Sequence, residues 1–147
     1  STIAKELALY VIIYAPVQMA ADLPQNYEGH PAFQFILDVP VDWEKTHILN
    51  GEIGEYITTV RKDINSDDWY LGSITNEDAR ELEIKLSFLD PYKTYNAVIY
   101  KDPLDGGWES KPEEIIIEKL NSISYNQYYK IKLPKGGGQA IRFSPVN

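Results

Sequence analysis

Strict alternation of apolar and polar residues is the feature that most restricts the fold of this chain. From residue 82 to 88 the apolar side chains occupy every second position, and Glu, Lys or Ser stands between them. Residues 129–133 repeat the pattern, with a lysine after each of Tyr129 and Ile131. A period of two places the apolar side chains on one face of a strand. Both segments therefore predict half-buried β-strands.

Five further strands are predicted in the same part of the chain, at residues 55–62, 69–75, 94–101, 113–118 and 139–143. Clusters of Asn, Asp, Ser, Pro and Gly separate the strands, at residues 65–68, 90–91, 102–107 and 134–138. Short strands at this spacing are typical of an antiparallel β-sandwich of roughly 100 residues.

The N-terminal part follows a different pattern. Residues 7–15 are apolar on every face of a helix, so this helix has to be covered on all sides. Pro16 ends it, residues 17–21 predict a short buried strand, and residues 30–39 predict a second helix. Helix, strand and helix in this order belong to an α/β fold, which a sandwich does not need. We therefore expect the chain to be the C-terminal piece of a longer protein, called the parent below.

Composition excludes several partners and chemistries. The formal net charge is −8 and no basic run occurs, whereas nucleic-acid binding needs a basic face. The longest apolar stretch is about 15 residues, too short for a membrane span of about 20. The absence of cysteine excludes disulfides, thiolate metal sites and a Cys nucleophile, and it does not decide the compartment.

Three acidic residues are candidates for catalytic or substrate-binding groups. Glu52 and Glu55 lie close in sequence, but a separation of three places them on opposite sides of a strand, so a solvated strand entry is preferred. Asp22 follows the predicted strand at 17–21 and would contact sugar hydroxyls if that strand belongs to a barrel. Alternatively, Asp22 is a loop residue whose carboxylate accepts hydrogen bonds from nearby backbone N–H groups.

Other motifs predict structure more than chemistry. His30 precedes a proline at a helix entry, and His47 is expected to make a hydrogen bond in a linker. Neither histidine has partners at metal-ligand spacing. The glycines at 136–138 lack the Lys-Ser/Thr of a phosphate loop, and the loop at 102–107 lacks the spacing of a calcium loop, so both predict turns.

Exposed aromatic rings could bind sugars, and the chain has 11 Tyr, 3 Trp and 4 Phe. Trp108, which follows two glycines in a loop, is the strongest of these candidates. Trp69 lies in a predicted strand and is expected in the core, since Trp and Tyr also favour strands. The tyrosines at 125, 128 and 129 form a further candidate cluster.

Two stretches of the chain resemble glycoside hydrolase family 97. The run ALYVIIYAPVQMAADLPQNYEGHPAFQFILDVPVDW at residues 8–43 resembles the end of that family's catalytic (β/α)₈ barrel. The segments LNGEIGEYITTVRK, DDWYLGSIT and LPKGGGQAIRFSP resemble its C-terminal β-sandwich. The resemblance implies a mostly β chain, in which an antiparallel sandwich at 49–147 follows the last helix, strand and helix of a barrel at 1–48.

What the resemblance implies for function concerns the parent. The family hydrolyses terminal α-linked glucose or galactose, uses calcium in its active site, and is bacterial and often periplasmic. Its catalytic carboxylates and calcium ligands lie in barrel loops upstream, so no catalytic or metal-binding residue is assigned here. The expected partners are the rest of the parent and its oligosaccharide substrate. Neither the sugar nor the stereochemical outcome is decided, because no carboxylate pair is in view.

A second interpretation comes from a different class. The chain would then be a stand-alone carbohydrate-binding or structural sandwich, without a barrel. An exposed row of Tyr and Trp on one sheet face would favour it. The apolar helix argues against it, because a helix left bare would form a patch that monomers seldom tolerate.

Overall fold

The computed structural model describes residues 2–13, 29–107, 109 and 113–146. Two helices and eight strands are present in this part of the chain. They are α1 (Ile3–Ile12), α2 (Phe33–Asp38), β1 (Trp43–Glu52), β2 (Tyr56–Asp63), β3 (Trp69–Thr75), β4 (Arg80–Lys85), β5 (Tyr95–Lys101), β6 (Ile116–Ile123), β7 (Tyr128–Leu133) and β8 (Gly138–Pro145). Neither helix is long and apolar enough to cross a membrane.

The strands form two antiparallel sheets. The larger sheet has six strands in the order β1-β2-β3-β8-β5-β6, and the smaller one pairs β4 with β7. Each of the seven strands expected from the sequence overlaps an observed strand, and β3 matches its predicted range residue for residue. The mostly β, antiparallel fold class is thereby confirmed.

Strand β1 was not predicted, and His47 was wrongly expected in a linker. The strand runs along the edge of the large sheet, where most of its side chains are exposed. An edge strand with little buried surface does not need apolar residues at every second position, so its sequence lacks the period of two. His47 lies within β1, and its ring stacks on Trp69 with the centroids 5.9 Å apart.

The main core fills the space between the two sheets. Its largest fully buried side chains come from several strands and from the loop that follows β4: Leu71, Leu89, Tyr95, Ile99, Ile131, Ile141 and Phe143. Apolar burial of this kind contributes about 1.5–3 kcal/mol for each large side chain. The alternating residues of β4 and β7 supply this core from the small sheet, as the pattern predicted.

A second, smaller core lies on the outer face of the large sheet, beneath both helices. Helix α1 buries one face, formed by Ala4, Leu7, Ala8 and Val11. The described residues cover only this face, so the expectation that the parent covers the helix on all sides stays a prediction. Its positions 9 and 12 are half-buried, and Ile13 just beyond its end is 46% exposed.

Two parts of the barrel interpretation remain predictions, namely the strand at residues 17–21 and the domain boundary at residue 48. The strand expected at 17–21 lies outside the described residues. The helix expected at 30–39 is present as the shorter α2. The division into domains at residue 48 falls inside β1, and it also remains a prediction.

Candidate functional site

Two of the sugar-binding candidates from the sequence, Asp22 and Trp108, lie outside the described residues and stay predictions. Glu52 and Glu55 occupy the tight turn between β1 and β2, and both are exposed. The backbone N–H of Glu55 donates to the carbonyl of Glu52 at 2.9 Å. Both side chains are exposed where β1 ends and β2 begins, which agrees with their interpretation as a solvated strand entry.

His30 forms a local hydrogen-bonded turn before α2, as expected of a helix-entry residue. Its Nδ1 accepts from the backbone N–H of Ala32 at 3.1 Å, and its Nε2 donates to the carbonyl of Glu113 at 3.3 Å. The ring thus uses both nitrogens in contacts with the backbone. Within the described part of the chain, no three His, Asp or Glu side chains converge to hold a metal ion.

The described aromatic candidates differ in their exposure and contacts. Trp69 is buried in the main core, as expected. Tyr129 is half-buried, and its hydroxyl accepts from Gln139 Nε2 at 2.7 Å. Tyr128 is exposed, but the ammonium of Lys85 lies over its ring, 5.9 Å from the centroid.

The outer face of the large sheet brings the most specific contacts together, and we treat this helix-bearing face as the candidate site. Gly72 of β3 lies directly under α1, so close that a Cβ built there would meet the carbonyl oxygen of Ala8 at 2.4 Å. Gly138 of β8 is equally close to Lys5, whose Cα would lie 2.4 Å from such a Cβ. Only glycine allows helix backbone and strand backbone to approach in this way.

The C-terminal end of α1 is held by Arg61 of β2. Its guanidinium donates to the carbonyl of Val11, to that of Ile12 at 2.8 Å, and to the hydroxyl of Thr46 in β1 at 2.9 Å. The last carbonyls of a helix lack partners in the helix and carry partial negative charge, so a cation there is favourable. Arg61 therefore ties the helix to two strands at once.

The N-terminal end of α1 is held by a buried carboxyl group. Thr2 is the N-cap: its hydroxyl oxygen accepts from the backbone N–H of Lys5 and donates to Asp102 Oδ2 at 3.0 Å. The same Oδ2 accepts from the backbone N–H of Gly138 at 2.9 Å. Oδ1 of Asp102 is buried and has no hydrogen-bond partner in the described part of the chain.

Burial raises the pKa of Asp102 from its ordinary value of 3.8 to about 6. The hydrogen bonds from Gly138 and Thr2, and the charge of Lys5, act in the opposite direction. The sequence predicted only a turn at this aspartate. An acidic residue directly after a strand is an ordinary turn signal, and nothing in the local sequence shows that it points inward.

Helix α2 is attached by an ion-pair network. Arg142 of β8 contacts Asp38 at 3.0 Å and Asp68 at 2.8 Å. The hydroxyl of Tyr70 donates to the carbonyl of Asp38 at 2.9 Å. Burial raises the pKa of Tyr70 further above its ordinary value, so this phenol stays a donor. Arg142 pairs with the carboxylates of both Asp38 and Asp68. These three residues therefore attach α2 to the sheet and do not form an acid–base pair.

An aromatic cluster completes the attachment of α2. Phe35 is fully buried between Tyr70 of β3 and Tyr100 of β5, with edge-to-face ring contacts at 5.9 and 5.2 Å. Such pairs add about 0.5–1.5 kcal/mol beyond their buried area. The helix-bearing face is therefore built for packing, through glycine contacts, capped helix ends, an ion-pair network and an aromatic cluster.

Comparison with a sequence family gives a match over residues 42–144. The family is described as glycosyl-hydrolase 97 C-terminal, oligomerisation. A retaining alpha-galactosidase of Bacteroides thetaiotaomicron is 37% identical over 145 residues, which are 96% of this chain and 20% of that protein. The chain thus spans about a fifth of the length of this relative.

Solved structures give the same result. A glycoside hydrolase family 97 enzyme from Pseudoalteromonas sp. strain K8, solved in complex with acarbose and with panose, is 46% identical. It superposes with a TM-score of 0.93 over 100% of this chain and 23% of its own. A beta-arabinopyranosidase is 25% identical with a TM-score of 0.73, over 96% of this chain and 21% of its own.

Proposed function

This chain belongs to the family of C-terminal domains of glycoside hydrolase family 97, and from that membership we propose that it is the non-catalytic C-terminal part of an α-glycosidase, in which it braces the catalytic barrel. The parent hydrolyses terminal α-linked glucose or galactose. The family's description also names oligomerisation, so the proposed role includes contacts between copies of the parent.

The observation that carries the bracing role is the contact of α1 with the sheet. This helix packs on Gly72 and Gly138 at backbone distance, and its two ends are held by Asp102 and Arg61, so it moves only with the sheet. The resemblance assigns this helix to the barrel. A helix that packs on the sandwich and also belongs to the barrel connects the two domains rigidly.

The chemistry is placed outside this chain by the proposal. Hydrolysis needs an acid and a second carboxylate at a defined separation across the glycosidic bond. The carboxyls of the helix-bearing face are tied to Thr2 and Gly138 or to Arg142. Calcium, with ligands in the upstream barrel, and a periplasmic or secreted location belong to the proposal for the parent. A stand-alone carbohydrate-binding module is disfavoured, because Trp69 is buried and Tyr129 is half-buried with its hydroxyl bonded to Gln139.

Sugar release from aryl α-glucoside and aryl α-galactoside, with calcium present, tests this proposal. We expect turnover of one of the two substrates by the parent. The 147-residue chain alone is expected to release no sugar, with a circular-dichroism spectrum rich in strand as the control for folding. Turnover by the chain alone would move the active site into it and contradict the proposal.

A further inference from the structure

Helix α1 covers only part of the large sheet and leaves an apolar groove beside it. The helix lies over β3 and β8, and neither described helix covers the ends of β1 and β2 near their connecting turn. The groove has a volume of about 610 Å³. Four isoleucines line it, together with Lys5 of α1 and polar residues of the turn: Ile48, Ile53, Ile57 and Ile74.

The isoleucines of this groove are unusually exposed for one local cluster. Ile53 at the tip of the turn is 103% exposed, and Ile48 is 67% exposed. Ile57 and Ile74 pair across β2 and β3 and are half-buried. Scattered apolar side chains are common on protein surfaces, but a contiguous patch next to a cavity marks an interaction site.

The position of the groove identifies its occupant. It lies on the same face of the sheet as α1 and shares a wall with that helix, so an element that fills it extends the helical layer. Helices packed side by side on one sheet face are the usual way to cover such a layer. The solved relative with the same fold carries more than three-quarters of its chain outside the matched region, which supplies the elements needed.

Charge adds a further requirement. Glu52 and Glu55 stand on the rim of the groove and are exposed, and neither forms an ion pair with a described residue. An occupant with Lys or Arg beside its apolar face would pair with them. A second copy of this turn would instead bring two more glutamates to the same rim, with only Lys5 to oppose them.

We propose that this groove binds an amphipathic helix of the catalytic part of the same polypeptide, which lies beside α1 with its apolar face on Ile48, Ile53, Ile57 and Ile74. The inference rests on the proposed function and makes it specific. It places a second contact between sandwich and barrel, independent of the seat of α1 on Gly72 and Gly138.

Photocrosslinking in the full-length parent tests the occupant. A benzoylphenylalanine replaces Ile53, and a matched control carries it in place of Leu104, which is 71% exposed beside the small sheet. We expect position 53 to give a product of monomer mass, with the crosslinked peptide upstream of Ser1, and position 104 to give none there. A product of dimer mass at position 53 would identify a second copy, and no product would leave the groove open to solvent. Either result overturns the inference.

Ile48→Glu and Leu104→Glu in the parent give an independent readout. We expect Ile48→Glu to lower the thermal midpoint by several degrees and Leu104→Glu to leave it within about one degree, because exposed substitutions seldom have larger effects. Equal midpoints would contradict docking at the groove. They would not affect the proposed function, whose test is sugar release by the parent and not by this chain.

Discussion

At the scale of single residues, the described part of the chain uses a few polar groups as attachments, and Asp102 has the clearest physical consequence. It is 1% exposed, and one of its carboxyl oxygens has no partner in the described part of the chain. Burial of a charge is expensive unless it is paired, so the folded protein favours the neutral form of this carboxyl more than the unfolded chain does. This carboxyl accepts hydrogen bonds from Thr2 and Gly138, so the stability of the contact between α1 and the sheet depends on pH.

The expected dependence follows from the raised pKa of about 6. The folded state binds this proton more tightly than the unfolded chain, so the contribution to stability is complete below about pH 4 and is lost as pH rises through about 6. A rise of about two units corresponds to about 3 kcal/mol. Asp102→Asn is neutral at every pH and should not lose this contribution.

Urea unfolding of the wild-type protein and Asp102→Asn between about pH 4 and pH 8 checks this prediction. The difference between their free energies of unfolding should shift in favour of Asp102→Asn as pH rises. Other titrating groups are common to both proteins and cancel in the difference. Parallel curves would show that Asp102 has an ordinary pKa.

At the scale of elements, sequence patterns identified strands well where one face is buried. The alternation at 82–88 and 129–133 predicted β4 and β7, whose alternate residues enter the main core. Edge strands were harder to predict. β1 was missed, and β6 was expected at 113–118 but runs from Ile116 to Ile123, because neither strand has a fully buried face.

The candidate site was predicted less completely, because its contacts join distant parts of the chain. Helix α1 was expected from its apolar run, but its seat is encoded by Gly72 and Gly138, about 65 and 130 residues away in sequence. A glycine inside a strand signals close backbone approach, which makes Gly72 recoverable from the sequence. The contact of Arg61 with the end of α1 could not be predicted from the sequence, because arginines are common on the exposed faces of strands.

Arg61 provides the prediction at this scale. Arg61→Met keeps the apolar stem but removes the donors to Val11, Ile12 and Thr46, and we expect a loss of about 2 kcal/mol in the free energy of unfolding. Amide hydrogen exchange should become faster in the last turn of α1 and little changed in β4 and β7. Lys85→Met, on the opposite sheet, is the control. Uniform exchange changes would argue against a local cap.

At the scale of the whole molecule, the large sheet carries a core on each face. The inner core joins the two sheets, and the outer one joins the large sheet to α1 and α2. The two cores share the same strands, so disturbance of one face is transmitted to the other. In the parent, we expect the catalytic domain and the sandwich to lose stability together.

Gly72→Ala in the parent tests this coupling. Its methyl group would collide with the carbonyl of Ala8 and crowd Val11, at a cost of about 2 kcal/mol as α1 is displaced. Ser87→Ala is the control, because Ser87 is exposed beyond the end of β4 and lies away from α1 and the groove. We expect heat inactivation of sugar release to occur at a lower temperature for Gly72→Ala only. Unchanged inactivation would separate the two domains.

The backbone contact of α1 with Gly72 and Gly138 limits how this domain can be exchanged between proteins. A sandwich cut out at its first strand would lose the helix and bare the surface around Tyr70, Tyr100 and Ala140 to water. Recombination that moves the sandwich into another enzyme therefore has to bring α1 with it. A substitute helix would need small residues where α1 has Ala4 and Ala8. The sandwich and its helix are therefore inherited as one unit, and the sandwich alone cannot be transferred between enzymes.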